Sequence, residues 1–287
     1  METKVSGPTK EVIISYDRPT VIIGERINPT GKKKLQAELK AGNLDIIRKE
    51  ALDQVAAGAQ ILDCNVNAPG VDDVKLLPEA IKMIQDVVDV PLCIDSPNAA
   101  ALEAGLKVYK GKPLVNSISG EKARLDRVLP LIKHYGAAVV GLAQDDAGIP
   151  KSMERRYDIT QRIVEICEKT GVPREDLVID VMTYSIGAEP KAAKDVLNAL
   201  RKIRLEIGVN MTMGASNISF GMPDRALLNS AWMAMVIEAG GTALIADAAK
   251  VMATVLSADL ILGRDRFARK YLEGFRKREA EKGGKAA

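Results

Sequence analysis

Met211-Thr-Met-Gly-Ala-Ser-Asn-Ile-Ser-Phe220 is an apolar run that breaks at a glycine and then presents small polar side chains. Val209, Met211 and Met213 alternate as they would along a buried strand. Gly214 carries no Cβ, so backbone or ligand can approach it closely. Ser216 and Asn217 follow at once. Taken alone, this is a strand entering a Gly/Ser/Asn turn, which any α/β chain contains many times. Its meaning comes from recurrence.

Outward from this stretch, further apolar runs occupy positions 21–28, 60–66, 91–95, 113–116, 137–143, 177–180 and 243–247. Between them, apolar residues spaced i, i+3, i+4 predict helices over 44–57, 74–88, 99–109, 122–134, 152–169, 191–207, 227–238 and 250–262. Asn43 is the expected N-cap of the first helix, and Gly58 stops it. Pro29 to Lys34 reads as a basic loop. Eight short strands thus alternate with helices at intervals of roughly 20 to 40 residues. Strands covered on both faces read as continuous apolar runs, as these do. The prediction is an α/β fold, a single (β/α)₈ TIM barrel, which typically takes ~250 residues. Residues 1–20 form an N-terminal arm, whose alternating Val12-Ile-Ile-Ser-Tyr16 suggests a short strand or hairpin packed on the outside. Residues 21–263 form the barrel, and 264–287 a charged helical tail ending in Gly-Gly-Lys-Ala-Ala.

Composition narrows the function. The chain has 287 residues and a formal net charge of +3, with acids and bases interspersed, so no polyanion footprint is visible. Aromatics make up only 3%, too few for base stacking along a single strand, and no nucleic-acid partner is expected. No apolar run reaches membrane-spanning length and the N-terminus lacks a signal-peptide core, so a cytoplasmic protein without a membrane partner is expected. Cys64, Cys93 and Cys167 lack disulfide or zinc spacing, and no metal site is expected. The single histidine, His134, sits at a helix end and suits a capping role. The ten methionines read as core filler.

In a TIM barrel the active site lies at the C-terminal ends of the strands. Here those ends carry Glu25, Asp63 with Asn65, Asp95, Asn116, Gln144 with Asp145, Asp180, Ser216 with Asn217, and Asp247. Carboxylates accept hydrogen bonds, and carboxamides both donate and accept. The chain has neither G-x-x-x-x-G-K-[ST] nor G-x-G-x-x-G, so a phosphate cradle is not indicated. A rim of acceptors suits a flat heterocycle rich in N–H groups, such as a pterin or a guanine edge. An acid cluster could instead hold Mg²⁺. Asn116 and Asn217 favour the heterocycle, because amides are weak metal ligands and good edge readers.

The segments Gly24-Glu-Arg-Ile-Asn28, Leu62-Asp-Cys-Asn-Val66, Leu92-Cys-Ile-Asp-Ser96, Val115-Asn-Ser117, Gly148-Ile-Pro150, Ile179-Asp180, Gly214-Ala-Ser-Asn-Ile-Ser219 and Ile245-Ala-Asp247 resemble the methyltetrahydrofolate:corrinoid protein methyltransferases. That pterin-binding barrel family includes the corrinoid/iron-sulfur protein methyltransferase and the folate domain of cobalamin-dependent methionine synthase. The resemblance runs from about Val21 to Leu262. It implies a tetrahydrofolate/corrinoid-dependent methyltransferase that moves a methyl group between N5 of tetrahydrofolate (or 5-methyltetrahydrofolate) and the cobalt of a corrinoid, in either direction. The cobalamin would be carried by a partner corrinoid protein, since the chain shows no cobalamin-binding segment of its own, and a homodimer is implied.

Residue by residue, the resemblance implies that Asp95, Asn116 and Asp180 hold the pterin by its amino, N–H and carbonyl edge. Asn217 would be the catalytic amide at N5, Gly214 and Ser216 would line the ring face, and Arg225 would lie near the p-aminobenzoate portion. Asp63 and Asn65 match rim positions of the folate site, and Phe220 stands where a relative has a corrinoid-facing glutamine. The arm of about 20 residues is an addition to the shorter relatives. Lys32, Lys33 and Lys34 could meet a folate glutamate tail or an acidic partner, or form a solvated loop. Two rival readings are a dihydropteroate synthase-like enzyme and a non-catalytic pterin-binding subunit. The first would need cations for a pyrophosphate, but Asn217 and Ser219 stand where a lysine and an arginine are expected.

Overall fold

The computed structural model describes residues 1–283. Two short strands, β1 (Thr3–Ser6) and β2 (Glu11–Ile14), pair antiparallel. The apolar runs become β3 (Val21–Ile27), β4 (Ile61–Cys64), β5 (Leu92–Asp95), β6 (Leu114–Ser119), β7 (Ala138–Leu142), β8 (Leu177–Asp180), β9 (Asn210–Thr212) and β10 (Ala243–Ala246). All eight are parallel neighbours in the order β10-β3-β4-β5-β6-β7-β8-β9. A parallel bridge between Gly214 and Ile245 joins the two ends. It is supported by Ile245 N–H to Met213 O (2.9 Å) and Ala215 N–H to Ile245 O (3.0 Å). The chain is therefore a (β/α)₈ barrel closed on the opening stretch itself.

Alternate strand residues divide the core. Ala138 and Val140 of β7 belong to an inner cluster with Val21, Ile23, Ile61 and Cys93, whereas Val139 packs outward with helix residues. Small and branched side chains inside and larger ones between sheet and helices are what a filled barrel requires. The helices are α1 (Lys33–Lys40), α2 (Asp45–Ala56), α3 (Asp73–Val87), α4 (Ala99–Val108), α5 (Lys122–Tyr135), α6 (Met153–Thr170), α7 (Ala192–Glu206), α8 (Arg225–Ala239), α9 (Ala248–Ile261) and α10 (Arg269–Gly283). Among the described residues, no helix is long and apolar enough to cross a membrane. All three cysteines are free and buried.

Four readings change. First, the basic loop at 29–34 passes into α1, because Leu35 and Leu39, one turn apart, bury one face. Second, the arm is not an outer appendage. Val5, Val12 and Ile14 join the inner barrel cluster, and Asn210 at the start of β9 donates from Nδ2 to Thr3 Oγ1 and to Ile14 O, both at 2.9 Å. The hairpin stoppers the N-terminal end of the barrel, where the inner side chains would otherwise meet water. Third, β6 continues past Asn116 to Ser119. Fourth, Leu44 holds the cap position of α2 and Asn43 stands one residue before it; the Asn43 Oδ1 accepts from Asp45 N at 3.0 Å. The charged tail forms α10, capped by Asp265, whose carboxylate accepts from the N–H groups of Lys270 and Tyr271. The expected tail at 284–287 lies outside the described residues.

Candidate active site

The sequence-predicted residues gather on two arcs of one rim. On the first, Asp95 closes β5 and stands in register with Asn116 on β6. Asn65 donates to Asp95 Oδ2 at 2.9 Å. Asn28 Nδ2 lies 3.4 Å from both Asp95 Oδ2 and Asp63 Oδ2, bridging two carboxyls. Asp63 is 1% exposed and its Oδ1 has no partner, so it acts from beneath Asp95 rather than at the surface. A cavity of ≈350 Å³ opens beside this arc, lined by Asp95, Asn116, Ser117, Arg124 and Gln144 among others.

Burial pushes Asp95 up to about 6, against the opposing pull of the Asn65 amide and the Arg124 guanidinium. Burial drives Asp63 well above the carboxylate range, and the neighbouring Asp95 charge adds to this. Two carboxyls in one site cannot both ionise cheaply. The arc therefore presents Asp95 as its ionisable acceptor over a buried carboxyl, Asp63, whose charged form is disfavoured and which also receives the Cys93 thiol.

On the second arc, Asp180 closes β8 and is 7% exposed. Its Oδ1 accepts from Met182 N at 2.8 Å. Burial raises its pKa to about 6, while the main-chain N–H groups of Met182 and Gly214 hold the charged form against that rise. Gly214 is required by space rather than by φ. A Cβ built there would stand 2.8 Å from Asn217 Nδ2, so a larger residue would displace that amide. Asn217 is exposed at the start of a short 3₁₀ turn, Asn217–Ser219. Arg225 pins this turn, donating from Nε to Ser219 Oγ and from Nη2 to Ser216 O, both at 3.0 Å. The Phe220 ring is 73% exposed beside the Arg225 guanidinium, and its carbonyl accepts from Ser185 Oγ.

Other strand endings are engaged elsewhere. Asp145 is ion-paired with Arg155 and Arg162, and Asp247 accepts from Gln54 Nε2 and pairs with Lys250. Lys32 donates to the carbonyls of Glu25 and Arg26, both at 3.0 Å, rather than projecting free. Sequence reasoning placed Asn28 at a strand end but missed its bridging role, and it missed Arg124 altogether. Asn28 had a signal, the polar exit of the first apolar run. Arg124 lies on a helix with ordinary amphipathic spacing and had none.

Ionised Asp95 and Asp180 accept hydrogen bonds, Asn116 reads a carbonyl or N–H, and Asn217 faces solvent with a group that can donate or accept. The residues fit a flat, N–H-rich heterocycle. Among the described residues no group of acids, histidines and cysteines has the arrangement of a metal site.

Residues 24–247 match the family model described as "Pterin binding enzyme". The chain is 33% identical over 267 residues to the methylcorrinoid:tetrahydrofolate methyltransferase of Eubacterium limosum, covering 89% of this chain and 96% of that one. It is 28% identical to the methionine synthase of Mycobacterium tuberculosis over 88% of its length, which is 22% of that much longer enzyme. Among solved structures, the 7,8-dihydropteroate synthase of Vibrio fischeri superposes with a TM-score of 0.68 at 18% identity, covering 91% of this chain and 99% of that one. A Yersinia pestis dihydropteroate synthase superposes equally well at 15% identity, over 92% of this chain and 100% of that one. Those two likenesses bear on the barrel alone, whereas the family match and the 33% relative bear on lineage, and the chain belongs to the pterin-binding enzyme family.

Proposed function

We propose that the protein transfers a methyl group from a methylcorrinoid, carried by a partner protein, to N5 of tetrahydrofolate. The observation that carries this reading is a buried, chargeable edge, Asp95 and Asp180, joined through Gly214 to an exposed carboxamide, Asn217. The edge residues suit the amino and ring N–H groups of a pterin, with Asn116 beside them, Asn65 donating to Asp95 from behind, and Asp63 sharing the Asn28 amide with Asp95. Ser216 and Gly214 leave room for the ring, and Arg225 braces the segment next to the folate tail. The direction follows the Eubacterium limosum relative, whose name puts the methyl group on the corrinoid before transfer.

The amine N5 attacks the methyl carbon in line, the electron pair of the old bond stays on cobalt, and N5 gains a positive charge. The Asn217 carbonyl can accept from N5–H as that charge develops, and in the reverse direction its N–H can donate to neutral N5. An interaction that strengthens toward the transition state raises kcat rather than affinity. A dihydropteroate synthase reading needs cations for a pyrophosphate near the same strand end, but positions 210–224 contain no lysine or arginine, and Arg225 is occupied with its own turn. Incubation with methylcobalamin and tetrahydrofolate, followed by absorbance of the demethylated corrinoid, tests the proposal. Folate binding without demethylation would favour a non-catalytic subunit, and condensation of a pterin pyrophosphate with p-aminobenzoate would favour the synthase.

Phe220, three residues after Asn217, and Leu227, in the first turn of α8, are uncovered apolar side chains, 73% and 66% exposed. They are proposed to face the corrinoid protein. Phe220→Ala should raise KM for the methylcorrinoid protein about tenfold, as loss of one aromatic anchor of about 1.4 kcal/mol does. The tetrahydrofolate KM should move much less, and an equal rise in both would remove Phe220 from this role.

The carboxyl shifts give a pH prediction. Asp95 and Asp180 titrate near 6 in the fold, above their ordinary 3.8. Their protonated forms lose the charge and place an O–H donor against the pterin's own donors, so tetrahydrofolate affinity should rise as pH passes through about 6 and level off above it. Because the folded pKa is raised, these two groups contribute stability below about 3.8 that is lost as pH climbs through 6. Ligand-free thermal scans and binding titrations over this range should therefore slope in opposite directions. A flat affinity profile would argue against carboxylate reading.

A further inference from the structure

The chain leaves the sheet directly after Asp95 and Asp180, and β6 is irregular between Asn116 and Ile118, so carbonyls at these points fall out of the regular ladder and need new donors. Two helix arginines supply them. Arg124, in the first turn of α5, donates from Nε to Ser117 O at 2.7 Å, from Nη1 to Pro97 O at 2.7 Å and from Nη2 to Ser96 O at 2.9 Å. Arg156, on α6, donates from Nε to Val181 O at 3.0 Å and Met182 O at 3.2 Å, and from Nη1 to Ser152 O at 3.2 Å. Five of these six carbonyls belong to residues one or two positions beyond an edge-reading residue.

Buried charges are ordinarily paired. Arg156 is 0% exposed, yet among the described residues neither arginine has a carboxylate within ion-pair distance. Carbonyl dipoles stand in the carboxylate's place. Only a planar fork of donors can hold several such oxygens at once, which a lysine ammonium cannot do in one fixed geometry. The contacts continue into the site. Met182 adopts φ 55°, a left-handed conformation uncommon outside glycine, and its N–H donates to Asp180 Oδ1. Arg124 itself lines the cavity with Asp95 and Asn116. Lys32 makes a simpler version at the exit of β3.

We propose that Arg124 and Arg156 are positioning residues that preform the heterocycle-reading edge, each fixing the strand exit behind the groups that meet the ligand. The proposal rests on the pterin reading above. A site held in register before binding pays no ordering cost when ligand arrives, so a loosened exit weakens affinity more than turnover. Arg124→Lys keeps the charge near Asp95 but loses the fork, and Arg124→Met loses both.

The test compares wild type with Arg124→Lys, Arg124→Met and Arg156→Lys. It measures melting temperature, tetrahydrofolate Kd, the KM and kcat split with methylcobalamin as donor, and ligand-free amide hydrogen exchange. The expected result is a rise of about tenfold or more in folate Kd and KM with a smaller change in kcat. Exchange should quicken at 96, 98 and 117–119 for the Arg124 variants and at 181–183 for Arg156→Lys. Lower melting temperature with folate Kd intact would leave both arginines purely structural and overturn the proposal, as would unchanged exchange at those exits. If Arg156→Lys fails to fold, the Arg124 pair decides. Wild type that binds no tetrahydrofolate would sink the pterin reading instead, a failure the exchange data keep separate.

Discussion

Asn217→Ala is expected to lower kcat by about 10²–10³-fold, the range found when one transition-state hydrogen-bonding group is removed, with tetrahydrofolate Kd changing less than about threefold. The asymmetry follows from where Asn217 sits. On the proposed reading Asp95, Asn116 and Asp180 meet the edge of the ring, whereas Asn217 stands exposed beside Gly214. Among the described residues no side-chain hydrogen bond engages its carboxamide, so it is free to change partners as N5 gains charge. An interaction made equally with substrate and transition state would lower KM alone. Stopped-flow single turnover, beside equilibrium folate titration, separates the two. Loss of folate binding with the rate constant intact would make Asn217 a binding residue only. Gly214→Ala provides a second route to the same end, because the new Cβ would lie 2.8 Å from Asn217 Nδ2 and force the amide aside. Its rate defect should approach that of Asn217→Ala.

Asp180→Asn is expected to weaken tetrahydrofolate binding about 30-fold, from the loss of about 2 kcal/mol in hydrogen bonds to a charged acceptor. The carboxylate accepts from Met182 N and is stabilised by Gly214 N–H, so an amide placed there turns its oxygen toward these donors. Its NH₂ then faces the ligand and opposes the pterin's own donors. The same substitution removes a charge that burial has made costly, so the ligand-free protein should melt no lower at pH 7, and weakened binding cannot be put down to misfolding. Calorimetric titration and a thermal scan check both halves. Unchanged affinity would take Asp180 out of the ligand edge.

How far the sequence reaches can be judged on particular residues. The barrel was legible because each strand is a local object: Leu177 to Asp180 is apolar and then stops at an acid, whatever lies elsewhere in the chain. Repeated eight times between helical spacings, that local pattern admits few architectures. The identity of the polar strand ends was legible for the same reason, and Asp95, Asn116, Asp180 and Asn217 all stand on the rim. Their resemblance to a known family added roles that spacing alone could not assign.

Other strand ends could not be sorted by reading along the chain. Asp145 and Asp247 look the same as Asp180 in sequence, yet one is neutralised by Arg155 and Arg162 and the other is tied to Gln54, which lies 193 positions away. Asn210 joins the arm from more than 190 residues downstream and makes the hairpin a stopper rather than an appendage.

The sequence by itself determined the barrel, the set of polar strand exits and the family, because apolar periodicity and short motifs are local properties. Only the tertiary structure decided which exits remain free to meet a ligand, that burial beneath Asp95 disfavours the charged form of Asp63, and that Arg124 and Arg156 bond the carbonyls behind the rim. Those outcomes depend on burial and on which distant donors reach each oxygen, and both come into being only when the chain closes on itself.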